Sequence, residues 1–399
     1  MTTVQRLTAS SSLKVWSGFA LAAVVLFGLA PALLSDFRLS LLAKFLCFAI
    51  VAVGIGLAWG RGGMLTLGQG VFFGIGAYIM AMHMQMADAA RAGEDVPEFM
   101  MISGIDELPS YWQPFESPLV AILGILVLPA AVAAVLGFGV FKRRVKGAYF
   151  AILSQALAAA LAILLTGQQS IGGFTGLSDF RSFFGFRLND PVNRQMLFFI
   201  SAGTLLVVVA IARQLMNSRY GELLVAVRDQ EERVRFLGYD PANIKIVAYV
   251  VAAFFAGIAG ALFTPIVGII SPADIGVVPS IAFLIGVAIG GRTTLLGPVL
   301  GAIGVAWART SFSENFPSAW TYLQGALFIV VVGFIPAGIA GFGPLAKRLL
   351  EKLRPAKAAE STAGQAQSPA ADAEAIVTTA TESTAEPEAT AAEEKVDAR

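Results

Sequence analysis

The sequence predicts an all-α, polytopic membrane protein with about ten transmembrane helices, one short amphipathic helix on the cytoplasmic side and a disordered C-terminal tail. Three observations predict it. Of 399 residues, 56% are hydrophobic and only 14% are charged, a membrane composition rather than a soluble one. The apolar residues fall in runs of about 20, the length that crosses a bilayer core. The formal net charge of +1 hides an acidic tail, with nine Asp/Glu against three Lys/Arg from Pro355 onward, so the preceding body is basic at about +7. Its cations sit in short loops between apolar runs, which is a membrane-topology pattern and argues against a nucleic-acid partner.

The runs lie near 16–35, 39–59, 64–86, 118–141, 147–166, 195–216 and 246–270, with a last one at about 319–338. A stretch from about 276 to 310 is broken by "GGRTTLLGP" and predicts two shorter spans. The total is ten, or nine if the broken stretch does not cross twice. Arg6 and Lys14 before the first run, with "APA" at 30–32, also fit a signal peptide, but the run is long for a signal h-region. The loop at about 87–117 has one Arg and seven Asp/Glu and is placed outside; "FKRRVKG" has four cations and no anion and is placed inside. Alternation then puts the opening segment 1–14 in the cytoplasm. The basic run Lys347, Arg348, Lys352, Arg354 and Lys357 falls there too, so both termini are expected inside. The membrane domain is expected over 15–345, with a cytoplasmic loop at about 217–245. Residues 346–399 form a basic segment and an Ala/Glu/Thr-rich tail with too little apolar surface to offset the entropy of ordering.

Within that loop, "YGELLVAVRDQEERVRFLGYD" (220–240) carries eight charged residues. Leu223, Val227, Val234 and Leu237 fall on one helical stripe, and Arg228, Asp229, Glu231, Glu232, Arg233 and Arg235 take most of the remaining surface. Gly238 with Pro241 three residues on predicts the helix stop. Charges of mixed sign suit a protein groove better than an anionic lipid surface. The plainer reading is a solvated connector.

The runs contain no Asp or Glu, and Lys44 is the one cation well inside them, near enough to a span end to snorkel. Ion-coupled transport usually needs an ionisable group in the membrane, so energy is expected from elsewhere and the solute is expected to be small and neutral, or to shield its own charges. No G-x-x-x-x-G-K-[ST] is present, so ATP would be bound by a separate chain. The single cysteine, Cys47, excludes an internal disulfide and a Cys-based metal cluster, and the one histidine, His83, reads as a helix-end packing residue. With no cluster of His, Asp, Glu or Cys, a membrane-embedded enzyme is the weakest class. In "LGQGVFFGIGAY", Gly70 and Gly74 share a face for close helix packing. The alternative is that Gly68 and Gly70 loosen the helix beside Gln69 and open a polar path, to which Tyr149, Gln155, Gln168 and Gln169 could add polar groups. "GGMLTLGQGVFFGIGA" and "GGRTTLLGPVLGAIGV" share GG, T-L and I-G at equal offsets, as a parallel internal repeat would.

The pattern Gly221-x4-Ala226-x-Arg228-x2-Glu231-x6-Gly238 resembles the cytoplasmic coupling loop of ABC importer permeases of the branched-chain amino acid and urea group. "GGMLTLGQGVFFGIGAYIMAM", "VKGAYFAILSQALA", "IGGFTGLSDF" and "GGRTTLLGPVLGA" extend the resemblance, in order, over roughly 39–340. "SQAL" at 154–157, "YWQPFESP" at 111–118 and "SFSENFPSAWTYLQGALFI" at 311–329 lean towards the urea branch. The resemblance implies a non-enzymatic permease subunit in a bacterial inner membrane, most simply for urea, with branched-chain amino acids as the alternative. It implies no cofactor on this chain, with ATP-Mg used by two ATP-binding subunits, together with a second homologous permease and an extracytoplasmic solute-binding protein. Gly221, Ala226, Arg228, Glu231 and Gly238 are the expected coupling residues. From a different class, a secondary transporter or facilitative channel would move its solute without ATP.

Overall fold

A computed structural model describes residues 17–315 except Lys146, with a few isolated positions between 322 and 329. It is almost wholly helical. Helix α1 is Ser17–Leu33, α2 Asp36–Arg61 and α3 Gln69–Ala92. A short α4, Glu98–Ile102, lies in the following loop. Then come α5 Pro118–Phe141, α6 Ala148–Thr166 and α7 Pro191–Met216. Helix α8 is Arg219–Phe236 and α9 Pro241–Val267. A 3-10 turn leads into α10, Val277–Gly290, and α11 is Leu296–Asn315.

Among the described residues, seven helices are long and apolar enough to cross a membrane: α2, α3, α5, α6, α7, α9 and α10 with its leading turn. The expected ten are not reached. Helix α1 is shorter, α11 ends in the polar residues 309–315, and the expected run at 319–338 lies outside the described residues, as do segment 1–14 and the tail. The stretch 276–310 does break into two helices, α10 and α11. They touch through Gly286, Gly290 and Gly301, where any Cβ would collide with the facing backbone.

Helix α9 is the hub and packs on α2, α3 and α5. Its inner face is built from Ala252, Ala253, Ala256, Gly257, Ala259 and Gly260, all buried. A Cβ on Gly76 would overlap the carbonyl of Gly257, and one on Gly260 that of Phe73. Small residues thus let the α3 and α9 backbones meet, the usual means of close packing where lipid supplies no hydrophobic drive. Helix α3 is the most enclosed span, 89% buried, whereas α5 and α6 are each 28% buried.

On the side assigned to the exterior, two short antiparallel ladders stitch the loops: Leu177–Ser178 to Ile269–Ile270, and Ser182–Phe183 to Phe186–Arg187. Asp88 accepts hydrogen bonds from Arg181 N and Ser182 Oγ, Gln85 donates to Ser178 O, and Arg181 pairs with Glu98. His83 lies here, its Nδ1 2.9 Å from Phe115 O and its ring against Phe184, in a structural setting.

Candidate coupling and translocation site

Helix α8 lies between the ends of α7 and α9. A Cβ on Gly221 would run into the carbonyls of Leu215 and Met216, so only glycine lets α8 pack beneath α7. The Tyr220 hydroxyl donates to Ile244 O at 2.7 Å, and burial pushes that phenol above its usual range. The helix is two segments meeting at Gln230, whose φ −150° and ψ 73° are not helical. The kink leaves Val227 and Val234 on one buried face, but the helix ends at Phe236, so the expected stripe stops one member short. Leu224, Val227 and Val234 are buried, Leu223 is half-buried, and Leu237 is 76% exposed. The stop is as expected. Gly238 takes φ +88°, and bonds from Gly238 N to Arg235 O and from Tyr239 N to Val234 O close a Schellman motif. Asp240 then caps α9 by accepting from Ala242 N, with Pro241 at the first helical position.

Arg228 and Glu231 both point into the protein. Arg228 Nη1 donates to Gly60 O at 2.8 Å, its stem fills the space beside Gly63, and its Nε bonds Asp229, holding that carboxyl below the usual range. Glu231 receives Lys245 Nζ of α9 at 2.7 Å. Ala226 is half-buried between them. The outer surface of α8 and its exit carry Asp229, Glu232 and Arg233, beside Phe236, Leu237 and Tyr239, exposed by 90%, 76% and 51%. The helix has one face that grips the membrane domain and one edge, apolar and charged together, that is left open.

The Arg228 contact falls on an irregular junction. Helix α2 ends in a π-turn, Gly56–Arg61, a form often found at functional positions. The chain turns at Gly63 (φ +68°) and runs without helix to Gly68. The run at 64–86 was expected to be helical from its start; α3 begins only at Gln69. The cause is contact with α6 and α10. Gly68 abuts the Ser154 carbonyl, Leu67 N donates to Ser154 Oγ at 3.1 Å, and Gly70 N to Ser280 Oγ at 3.1 Å. Ser154 is six residues into α6, roughly 9 Å from its start, so α3 begins about that far along α6 rather than level with its end. The Gln69 side chain is 1% exposed; its Nε2 donates to Thr66 Oγ1, and its Oε1 has no partner. Close packing and a broken helix therefore coexist at these glycines.

Of the other polar candidates, Tyr149 is 76% exposed and Gln155 half-buried, and neither bonds Gln69. Gln168 and Gln169 lie in the turns after α6. Ser154, next to Gln155, is the residue that reaches α3, and sequence reasoning passed over it. The two glycine segments share more than letters. Gly63 and Gly291 both take positive φ, both follow a helix end, and helix resumes at Gln69 and Leu296. They also touch: Gly60 packs on Arg292 O, and the Arg292 guanidinium lies 4.8 Å from the Trp59 ring centroid.

The described residues thus form a bundle with seven helices long and apolar enough to cross a membrane, and a charged helix that packs on the bundle by one face and leaves one edge open, the build of a polytopic membrane protein. Residues 37–332 match the family described as branched-chain amino acid transport system / permease component. The chain belongs to that family of ABC transporter permeases, which work with ATP-binding and substrate-binding partners. It is similar to the high-affinity branched-chain amino acid transport system permease protein LivM of Escherichia coli (strain K12), 27% identical over 80% of this chain and 74% of the relative. It is also similar to the high-affinity branched-chain amino acid transport system permease protein BraD of Pseudomonas aeruginosa, 24% identical over 74% of this chain and 91% of the relative. A probable LivM of Methanocaldococcus jannaschii is 25% identical over 58% of this chain and 72% of the relative. No solved structure matches. The urea leaning of the sequence finds no support among these relatives; the branched-chain amino acid alternative fits better.

Proposed function

We propose that this chain is one transmembrane half of an ATP-driven importer of branched-chain amino acids in a bacterial inner membrane. It would pair with a second homologous permease, two ATP-binding subunits using ATP-Mg and an extracytoplasmic binding protein, with both termini cytoplasmic. The observation that carries the reading is the two-sided α8. Its open edge, Phe236, Leu237 and Tyr239 beside Arg233 and Glu232, has the mix of apolar anchor and charge that a motor subunit's groove would take. Its other face is bonded to α2 through Arg228 and to α9 through Glu231. Closure of the ATPase pair would move α8, and the two bonds would carry that movement into the spans.

The test is uptake of labelled leucine and labelled urea into vesicles holding the co-purified complex, with and without internal ATP. Leucine uptake that requires both ATP and the binding protein is expected. Urea uptake alone would restore the urea reading, and uptake by this chain without ATP would replace the importer with a channel or secondary transporter.

A further inference from the structure

Read from the sequence alone, Lys44 has no task beyond reaching the interface. In the structure its ammonium lies over the Phe263 ring, 5.7 Å from the centroid, on the wall of a cavity of about 370 Å³. That volume is at the lower end of the roughly 300–1,000 Å³ of small-molecule sites. The cavity opens between α2, α9, α10 and α11, and α3 contributes Phe73 to it. Lys44 is eight residues from the outer end of α2, about 12 Å at the helical rise, and Asp274 lies in the turn that leads into α10. In the expected topology the cavity thus lies below the outer end of α2 and beside the first turns of α3, whose Gly70 and Gly74 pack on Ile275 and whose Phe73 lines it.

Its lining combines three charges with an aromatic floor. Lys44 and Arg309 supply two cations and Asp274 one anion; Phe48, Phe73 and Phe283 supply the apolar surface. Among the described residues neither cation is in an ion pair. Asp274 accepts from Ser271 N at 3.0 Å and from Ser271 Oγ at 2.7 Å, both through Oδ2. Among the described residues Oδ1 accepts no hydrogen bond. The rings are ordered against one another: Phe73 meets Phe263 edge-on at 5.1 Å, and Phe48 and Phe283 lie 5.4 Å apart. Charges at a membrane cavity that are not closed into ion pairs are costly and mark solute paths. A neutral amide such as urea would bring no charge to meet any of the three.

We propose that this cavity binds the zwitterionic head of an apolar α-amino acid, with Lys44 and Arg309 facing its carboxylate, the free oxygen of Asp274 facing its ammonium, and the phenylalanines receiving its side chain. The aromatic faces add attraction for the ammonium, and the two cations match a carboxylate's acceptor-only chemistry. The inference rests on the amino-acid importer reading and names where in this chain the solute is recognised after leaving its binding protein.

The experiment has two arms. Leucine uptake by the wild-type complex in vesicles tests the importer reading by itself; no leucine uptake overturns that reading, and this inference with it. The second arm measures labelled leucine bound to the purified complex without binding protein. Competitors are 4-methylpentanoate, which lacks the ammonium, 3-methylbutylamine, which lacks the carboxylate, and urea. Leucine should compete about tenfold to a hundredfold better than either analogue, the effect of one charged hydrogen bond, and urea should not compete. Asp274→Asn, which keeps the acceptor for Ser271, should erase the preference over 4-methylpentanoate. Lys44→Met should erase the preference over 3-methylbutylamine. A complex that imports leucine but binds none here, or whose preferences survive both substitutions, overturns the proposal.

Discussion

Exchanging the charges of Glu231 and Lys245 tests whether α8 works through α9. Their bond is 2.7 Å, with side chains 20% and 15% exposed; the second bond to Glu231, from Arg235, is longer at 3.4 Å. Exposed ion pairs contribute about 0.2–1 kcal/mol, whereas hydrogen bonds to charged groups contribute about 1.5–3 kcal/mol. Burial on both sides places this pair nearer the second range, at about 2 kcal/mol, a factor of about 30 in an equilibrium. Glu231→Lys also sets two ammonium groups face to face. It should therefore cut solute-stimulated ATP hydrolysis by the reconstituted complex at least tenfold while leaving membrane insertion intact, and Lys245→Glu should do the same. The double exchange, Glu231→Lys with Lys245→Glu, should return stimulation to within about threefold of wild type, because the pair is restored with its polarity reversed. Unchanged stimulation in the single variants refutes the transmitting role. Impaired singles with no rescue in the exchange would mean that Glu231 acts on the motor subunit directly.

Two further predictions follow from local geometry. Gly260→Ala forces a methyl into the Phe73 carbonyl; overpacking costs about 1–3 kcal/mol or more, so folded protein in membranes should fall sharply, whereas Gly304→Ala, with nothing within 4 Å, should accumulate like wild type. Asp240 is held below the usual carboxylate range first by the hydrogen bond from Lys142. A depressed folded-state value contributes stability that is complete above about pH 4 and lost as pH falls through that lower value. Asp240→Asn keeps the α9 cap and removes the charge, and with side chains 43% and 45% exposed it should cost under about 1 kcal/mol at pH 7. Thermal unfolding of the two purified proteins should converge on acidification below pH 4; a gap that persists would mean the charge is not the cause.

Six apolar runs became α2, α3, α5, α6, α7 and α9 because bilayer length and side-chain polarity are local properties of a sequence. The same holds for the end of α8, where Gly238 and Pro241 act within a few residues. What was not legible depends on distant neighbours. Nothing local to 64–68 distinguishes an extended apolar strand from a helix; the choice is made by Ser154, some 87 positions away, whose hydroxyl takes the Leu67 N–H. Gln230 gives no sequence sign of a kink, and the stripe of Leu223, Val227 and Val234 fails at Leu237 only because the helix ends one residue earlier, at Phe236. Asp274 and Arg309 lie at the margins of apolar runs, where nothing local sets them apart, and only the fold sets them around one cavity with Lys44.

The irregular backbone gives the proposed motion a definite route. Arg228 holds the Gly60 carbonyl, Gly60 rests on Arg292, and from Gly62 the chain runs without helix to Gln69. A helix resists bending because each residue is bonded four positions on; a segment tied at one end by Arg228 and at the other by Ser154 and Ser280 has no such ladder and yields first. Displacement of α8 would therefore shift the start of α3 relative to α9 rather than bend α3, whose glycine contacts with α9 are backbone to backbone. Gln69, buried with one unpaired amide oxygen, stands at the moving end. Gly70 and Gly74 pack on Ile275, and Phe73 on the cavity floor, so the same shift would reach the residues beside Asp274. The proposed solute cavity and the proposed motor contact would thus be joined by one short segment that lacks a helical ladder.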